Sequence, residues 1–252
     1  MRLALTLAAA AATAALTATT AFAGGLGEMT DAERAAFREE VKAYLLDNPE
    51  VIVEAMTALQ NREDEAAYQR DIDMLQANAD IIFNSPADWV GGNPQGDITV
   101  VEFMDYRCGY CRKAYEEVEE LVKSDGNIRF VLKEFPILGE QSLWSSQFAI
   151  AVRMLYGDDA YKAAHDALVT LRGDATPETL AKLAAELGHD PAAVAAKMGS
   201  DEVKAVITAN HELATLMEIN GTPTFVIDQT MVRGYVPLDG MQQIVDGQRN
   251  DG

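Results

Sequence analysis

Val101-Glu102-Phe103-Met104-Asp105-Tyr106-Arg107-Cys108-Gly109-Tyr110-Cys111 is the stretch on which the fold turns. Ile98 to Phe103 is a compact run of β-branched and aromatic residues at strand length. Residues 112–124 read as a helix, because Ala114, Tyr115, Val118, Leu121 and Val122 recur on one helical side. Ile128 to Leu132 returns as a second strand. The pattern predicts a βαβ unit with both cysteines at its strand-to-helix turn.

Cys108 and Cys111 are the only 2 cysteines in 252 residues. A thiolate at the start of a helix meets unpaired backbone N–H groups and the positive end of the helix dipole. Both lower its pKa and raise its nucleophilic fraction at neutral pH. Cys108 is therefore expected to attack or be attacked, and Cys111, one turn into the helix, to resolve mixed disulfides. A structural staple is a weaker reading, since a four-residue ring stabilises by about 2 kcal/mol against about 4.7 kcal/mol for a hundred-residue loop. Zinc needs at least three protein ligands, and His165, His189 and His211 are not paired at ligand spacing. A haem link needs His after the second cysteine, where Arg112 stands. Two further features bear on the site. Thr222-Pro223 opens a later strand, as a plain trans turn or a cis bond. Glu102 lies six residues before Cys108, either solvent-facing on an edge strand or buried, where it could take a proton during exchange.

Outward from this unit, residues 24–90 read as helical. Thr30-Asp31-Ala32-Glu33 fits a capping box, with Phe37, Val41, Tyr44 and Leu45 on one helical face behind it. A second helix is expected from Pro49 towards Asn78. Its stripe Tyr68, Ile72, Leu75, Ala79 and Ile82 has the spacing of a coiled-coil seam. That stripe can serve self-association or pack on the protein's own body. Gly91 to Asp97 is dense in turn formers and reads as a boundary. From Ser142 to about Asn220 the pattern is helical, with Thr176-Pro177 and Asp190-Pro191 as helix starts. Pro223 to Ile227 is a strand, Met231 to Tyr235 its hairpin partner, and Leu238 to Val245 a closing helix. The expected class is α/β with an inserted helical subdomain.

Residues 1–23 read as a secretory signal: Arg2, the apolar stretch Leu3 to Leu16, and Ala21-Phe22-Ala23 as a cleavage site. Export permits persistent disulfides. The net charge of −20 repels phosphate backbones and anionic lipid, which argues against nucleic acid as a partner.

The quoted stretch, followed a hundred residues later by Gly221-Thr222-Pro223-Thr224-Phe225, resembles the DsbA-like family of periplasmic thiol:disulfide oxidoreductases in the thioredoxin superfamily. The resemblance covers about residues 84–247. It implies a thioredoxin fold with an inserted helical subdomain, Cys108 as nucleophile, Cys111 as resolving cysteine, and a cis Thr222-Pro223 bond facing them. It makes Glu102 the buried acid beside the site, with Lys133 matching its usual lysine partner. Gly109-Tyr110 and Thr222 differ from the strongly oxidising members and are similar to periplasmic disulfide isomerases. The helical arm, through Asn48-Pro49-Glu50-Val51-Ile52, resembles the ScsC-type copper-sensitivity-suppressor branch.

The expectation is thus a signal at 1–23, an arm at 24–90 and a catalytic domain at 91–252 with its insertion at about 139–220. The protein would work in the periplasm on exported proteins bearing thiols or disulfides, leaning to isomerisation or reduction. Gly109, Tyr110, Thr222 and Pro223 would contact substrate. A membrane redox partner would reset the dithiol, and residues 24–84 would form a homo-oligomer. No organic cofactor or metal is required. The competing readings are a strong dithiol oxidase of the same fold and a copper(I)-binding or holdase protein with the thiolates as soft ligands.

Overall fold

The structure is a computed structural model describing residues 29–251; the leader expected at residues 1–23 lies outside them. The chain divides into two compact units, one ending at Arg62 and the other beginning at Glu63.

The first unit is helical. α1 (Asp31–Asp47) opens with the capping box: the Glu33 N–H donates to Thr30 Oγ1 at 3.3 Å, and the Glu33 carboxylate accepts from the Thr30 N–H at 2.8 Å. Asn48 ends it, and α2 (Glu50–Ala77) follows, with the division between units falling inside α2. Phe37, Val41, Leu45, Leu46 and Ile52 line an apolar crevice, and α1 buries no residue.

The second unit carries a five-stranded sheet in the order β1-β3-β2-β4-β5. Its strands are β1 (Trp89–Gly92), β2 (Ile98–Met104), β3 (Ile128–Glu134), β4 (Thr224–Ile227) and β5 (Thr230–Arg233). β2 and β3 are parallel and joined through α4 (Gly109–Asp125), so the expected βαβ unit forms the centre of the sheet. The other pairings are antiparallel. Between β3 and β4 the chain makes the helical insertion: α5 (Glu140–Tyr156), α6 (Asp158–Val169), α7 (Pro177–Glu186), α8 (Pro191–Met198) and α9 (Asp201–Leu216). α10 (Leu238–Asp251) closes the chain.

Strand alternation assigns the two faces of the sheet to two cores. Val100, Met104, Phe130, Leu132 and Phe225 pack with Ala114, Val118 and Leu121 of α4 and Met241 of α10. Val101, Phe103, Val131 and Val226 pack on the other face with Leu213 and Met217. Leu75 and Ile82 join that second cluster. The lower half of the expected oligomer seam therefore packs on the protein's own body. The helix breaks at Asn78, and α3 (Ala79–Asn84) turns Ile82 into the core.

Residues 89–92 form a strand where the sequence suggested helix up to about residue 90 and a boundary from Gly91; the helices before it end at Asn84. β1 pairs with β3, and Trp89 stacks on Tyr161 at 5.6 Å and meets Phe130 edge-on at 6.2 Å. Its glycines disguise it. A Cβ on Gly91 would lie 2.1 Å from the Trp89 ring, so glycine lets that indole fold across its own strand.

Candidate active site

Cys108 is the N-cap residue of α4, with extended backbone at φ −73°, ψ 118°. An N-cap side chain accepts from the N–H groups of the second and third helical residues. The Cys108 sulfur sits at that end of the helix without making a cap hydrogen bond, and the nearby Tyr110 and Cys111 N–H groups favour its charged form. The Cys108 thiol is lowered to about 5. Hydrogen bonding from the Cys111 thiol leads, opposed by burial and reinforced by the Thr222 side chain and those two amides. At pH 7 such a group is about 99% ionised, against about 3% for a free thiol near 8.5. Cys108 keeps 7% of its surface exposed and Cys111 keeps 1%. Cys111 is pushed far up, first by donating to the Cys108 sulfur, then by burial and the Glu102 charge. Both thiols are free in the structure.

The Thr222-Pro223 bond is cis. As a neutral thiol, Cys108 Sγ donates to the Thr222 carbonyl at 3.1 Å, so residues 114 apart in sequence meet at the sulfur. Gly109 and Tyr110 are exposed beside it, while Pro223 is buried.

Glu102 lies inside the molecule, 5% exposed, and the edge-strand alternative does not hold. Its strand is flanked by β3 and β4, with Leu132 and Phe225 as cross-strand neighbours. Its carboxyl is raised to about 8, mainly by burial, with the Cys108, Glu119 and Glu134 charges adding. A small crevice beneath the helix is lined by Glu102, Cys111, Tyr115, Glu119 and His165, among others, so the acid and the resolving thiol share one space.

Lys133 does not partner Glu102. In the parallel register Leu132 sits opposite Glu102 and Lys133 opposite Phe103, so the lysine points to the other face of the sheet. There its ammonium is fully buried, pairs with the Asp88 carboxylate, and donates to the Ile81 carbonyl at 3.0 Å. It fastens the segment before β1 to the sheet.

Several residues that hold the turn had no individual signal in the sequence. Asp105 is fully buried and accepts from the N–H groups of Arg107, Ile137 and Leu138 at 2.7, 2.8 and 3.0 Å. Arg112 donates to the carbonyls of Tyr106 and Leu171 at 2.7 and 2.8 Å. Glu134 accepts from Tyr106, Tyr161 and Ser146 hydroxyls at 2.8, 2.7 and 2.7 Å, and burial raises its carboxyl to about 7. His165 is buried 3.1 Å from the Tyr106 hydroxyl, and burial lowers it to about 4. His189 stacks on Tyr156 at 4.1 Å and His211 on Phe135 at 4.8 Å. Among the described residues no group of three or more His, Cys, Asp or Glu could hold a metal ion.

Comparison with known proteins agrees with this geometry. The sequence model of the family described as Thioredoxin matches residues 84–247, and the one described as Copper resistance protein ScsC N-terminal domain matches residues 33–66. A thioredoxin-like oxidoreductase from Silicibacter pomeroyi is 42% identical over 68% of this chain and 97% of its own, with TM-score 0.64. BcfH from Salmonella enterica Typhimurium is 27% identical over 85% and 95%, with TM-score 0.71. Proteus mirabilis ScsC in a transitional conformation is 25% identical over 90% and 99%, with TM-score 0.65. Among curated proteins, Na(+)/H(+) antiporter NhaA 1 of Salinispora arenicola is 28% identical over 159 residues, and this chain spans 24% of its length.

Two outcomes follow from this geometry. Lys133→Met should cost about 3 kcal/mol in chemical unfolding, because it strands the buried Asp88 carboxylate. The Cys108 midpoint, read by thiolate absorbance, should stay near 5; an upward move of a full unit would return Lys133 to the site. For Glu102 the folded pKa of about 8 stands above the ordinary 4.5. Its favourable contribution is complete below 4.5 and is lost as pH rises towards 8. Glu102→Gln should therefore be more stable than the parent, by a margin that opens above pH 4.5 and levels off above about 8. The shift caps that margin at about 5 kcal/mol. Equal stability of the two proteins across the whole range would contradict a buried, proton-holding carboxyl.

Proposed function

This chain belongs to the thioredoxin family, in its DsbA-like, ScsC-type branch, and from that premise we propose that it exchanges disulfides with exported proteins in the periplasm through Cys108 and Cys111. The observation that carries this reading is the Cys108 sulfur at the opening of α4, ionised at neutral pH and beside Thr222.

The cycle uses residues already in contact. The Cys108 thiolate attacks a substrate disulfide; that S–S bond breaks, a Cys108–substrate disulfide forms, and one substrate cysteine leaves as thiolate. The Cys111 thiol then loses its proton and attacks the Cys108 sulfur. Glu102, in the same crevice, takes that proton in its ionised form, which becomes accessible once the mixed disulfide removes the Cys108 charge that helps to raise it. The products are the Cys108–Cys111 disulfide and a second released substrate thiol, so two electrons pass from the dithiol to the substrate. Alternatively, another substrate thiolate displaces Cys108, giving a rearranged disulfide with no net electron transfer. Run backwards, the same steps oxidise substrate thiols. The Thr222 carbonyl beside the sulfur and the exposed Gly109 and Tyr110 supply the surface on which the substrate chain lies.

Isomerisation and reduction are favoured over oxidation. That preference rests on Gly109-Tyr110 and Thr222, which are similar to those of periplasmic disulfide isomerases; the lowered Cys108 thiol supplies the nucleophile for exchange in either direction. A periplasmic setting agrees with the signal read at residues 1–23, and net oxidation or reduction requires a redox partner that resets the dithiol.

The helical arm is proposed to bring copies of the chain together. Exposed Phe37, Tyr44, Ile52, Val53, Met56 and Leu59 form more apolar surface than a two-helix unit normally leaves in water. The ScsC-type match falls on residues 33–66.

A scrambled, fully oxidised substrate incubated with the reduced protein should regain its native disulfides, and Cys108→Ser should not promote this. No recovery, alongside rapid oxidation of a reduced substrate, would turn the assignment to oxidase. Light scattering should give the mass of an oligomer for the full mature chain and of a monomer for a chain lacking residues 24–62; a monomeric full chain would leave the arm without this role.

A further inference from the structure

The face around Cys108 runs against the charge of the whole molecule. The chain carries −20, yet Arg107, Arg112 and Lys113 all lie within five residues of the nucleophilic sulfur. No acidic side chain occurs between Tyr106 and Tyr115. Among the described residues the trio forms one ion pair, Arg107 with exposed Asp174 at 3.7 Å. The Arg107 guanidinium donates to the Gly173 carbonyl at 2.8 Å, and Arg112 donates to the carbonyls of Tyr106 and Leu171. Carbonyls satisfy a guanidinium's donors without cancelling its charge.

Lys113 is held differently. Its ammonium lies 4.0 Å from the Tyr235 ring centroid, and Tyr235 stacks on Tyr110 at 6.1 Å with 28° between the planes. The Tyr235 hydroxyl donates to Glu117 at 2.6 Å, and the same carboxylate accepts from the Leu238 N–H at 2.7 Å. Tyr235 is thereby locked from α4 and from the start of α10. Tyr110 lies against it, 62% exposed, two residues from the sulfur. A cation over a ring face is stabilised without losing its charge to a carboxylate.

We propose that this rim, with Arg107, Arg112 and Lys113 as its charges and the Tyr110–Tyr235 pair as its apolar shelf, selects substrate segments that carry carboxylates beside the reacting cysteine. The inference rests on the exchange reading above and names its substrate class. A carboxylate next to a substrate cysteine falls within a Debye length of all three cations. A lysine-flanked cysteine meets like charge there, although the molecule as a whole attracts it. Local and global fields therefore predict opposite preferences.

The test uses two symmetric peptide disulfides, Gly-Asp-Cys-Asp-Tyr and Gly-Lys-Cys-Lys-Tyr, each reduced by the full-length dithiol protein. Each turnover converts one peptide disulfide and the protein dithiol into two peptide thiols and the Cys108–Cys111 disulfide, so electrons and protons balance. Each rate is divided by that of the same peptide with 2-mercaptoethanol, which removes the peptide's intrinsic reactivity. At low salt the acidic peptide should react about threefold to tenfold faster, and the ratio should fall towards one at about 1 M salt as screening closes in. The Arg107→Gln, Lys113→Gln double variant should lose most of that ratio, the two peptides being compared on the same protein so that any move of the Cys108 midpoint cancels. A faster lysine peptide, a ratio of one at low salt, or a preference that survives the double variant overturns the proposal. Failure of both peptides to react, where 2-mercaptoethanol reacts normally, would instead sink the exchange reading beneath it.

Discussion

A sulfur in place of a hydroxyl at the N-cap of α4 is the constraint around which this molecule is arranged. Every α-helix begins with N–H groups that lack intrahelical acceptors. Serine, threonine or aspartate usually fills that gap. Here that position belongs to Cys108, which makes no side-chain cap bond; its charged form is favoured first by the Cys111 thiol and then by the Tyr110 and Cys111 amides. The same helix places Cys111 at its third position, where its thiol reaches the Cys108 sulfur and burial keeps its own proton on. One local geometry thus divides two chemically identical residues into an attacking thiolate and a reserve thiol. The division lasts only while Cys108 carries its charge. Once Cys108 enters a mixed disulfide, the hydrogen bond that held the Cys111 proton disappears, and the resolving thiol is freed when it is needed.

The rest of the site depends on which face of the sheet a residue meets. Glu102 and Lys133 lie on neighbouring strands and their names suggest a pair. The parallel register offsets them by one residue, and one residue in a strand is a change of face. Glu102 is left buried, with acidic neighbours beneath the helix adding to the effect of burial, so its proton is held into the range where it can exchange with Cys111. Lys133 is spent on Asp88 and closes the opposite face. A lysine beside Glu102 would ionise it and remove the acid from the range where thiols titrate.

The elements near the cysteines were legible in sequence because each carries a strong local signal: a β-branched strand, a helical apolar stripe and proline-led helix starts; in the first unit the capping box at Thr30 did the same for α1. The cis Thr222-Pro223 bond, Cys108 and Cys111 are where the family pattern put them. What escaped reading depends on long-range partners. β1 was hidden by two glycines whose purposes are visible only in three dimensions: Gly91 makes room for the Trp89 ring, and Gly92 turns at positive φ close to the Ile128 carbonyl. The Leu75 and Ile82 stripe has a coiled-coil spacing whichever surface it meets, so periodicity alone could not choose between another chain and the body's own core. Glu134, His165 and Tyr161 are individually unremarkable letters, and their buried cluster exists only because the insertion folds back over the end of β3.

That cluster gives the insertion a mechanical purpose. The turn from β2 into α4 must hold a charged sulfur in place at the open end of a central strand. Arg107 and Arg112 reach from the turn to carbonyls at Gly173 and Leu171, between α6 and α7. Tyr106 is held through Glu134 to Tyr161 in α6 and Ser146 in α5. Asp105 ties the turn to the segment leading into α5 through two backbone amides. The insertion thus fixes the turn through carbonyls, buried hydroxyls and backbone amides. An electrostatic site is strongest when its dipoles are set before the charge arrives. The helical insertion supplies that rigidity to a reaction in which charge passes from Cys108 to substrate and from Cys111 to Cys108, and in which no other group has to move far.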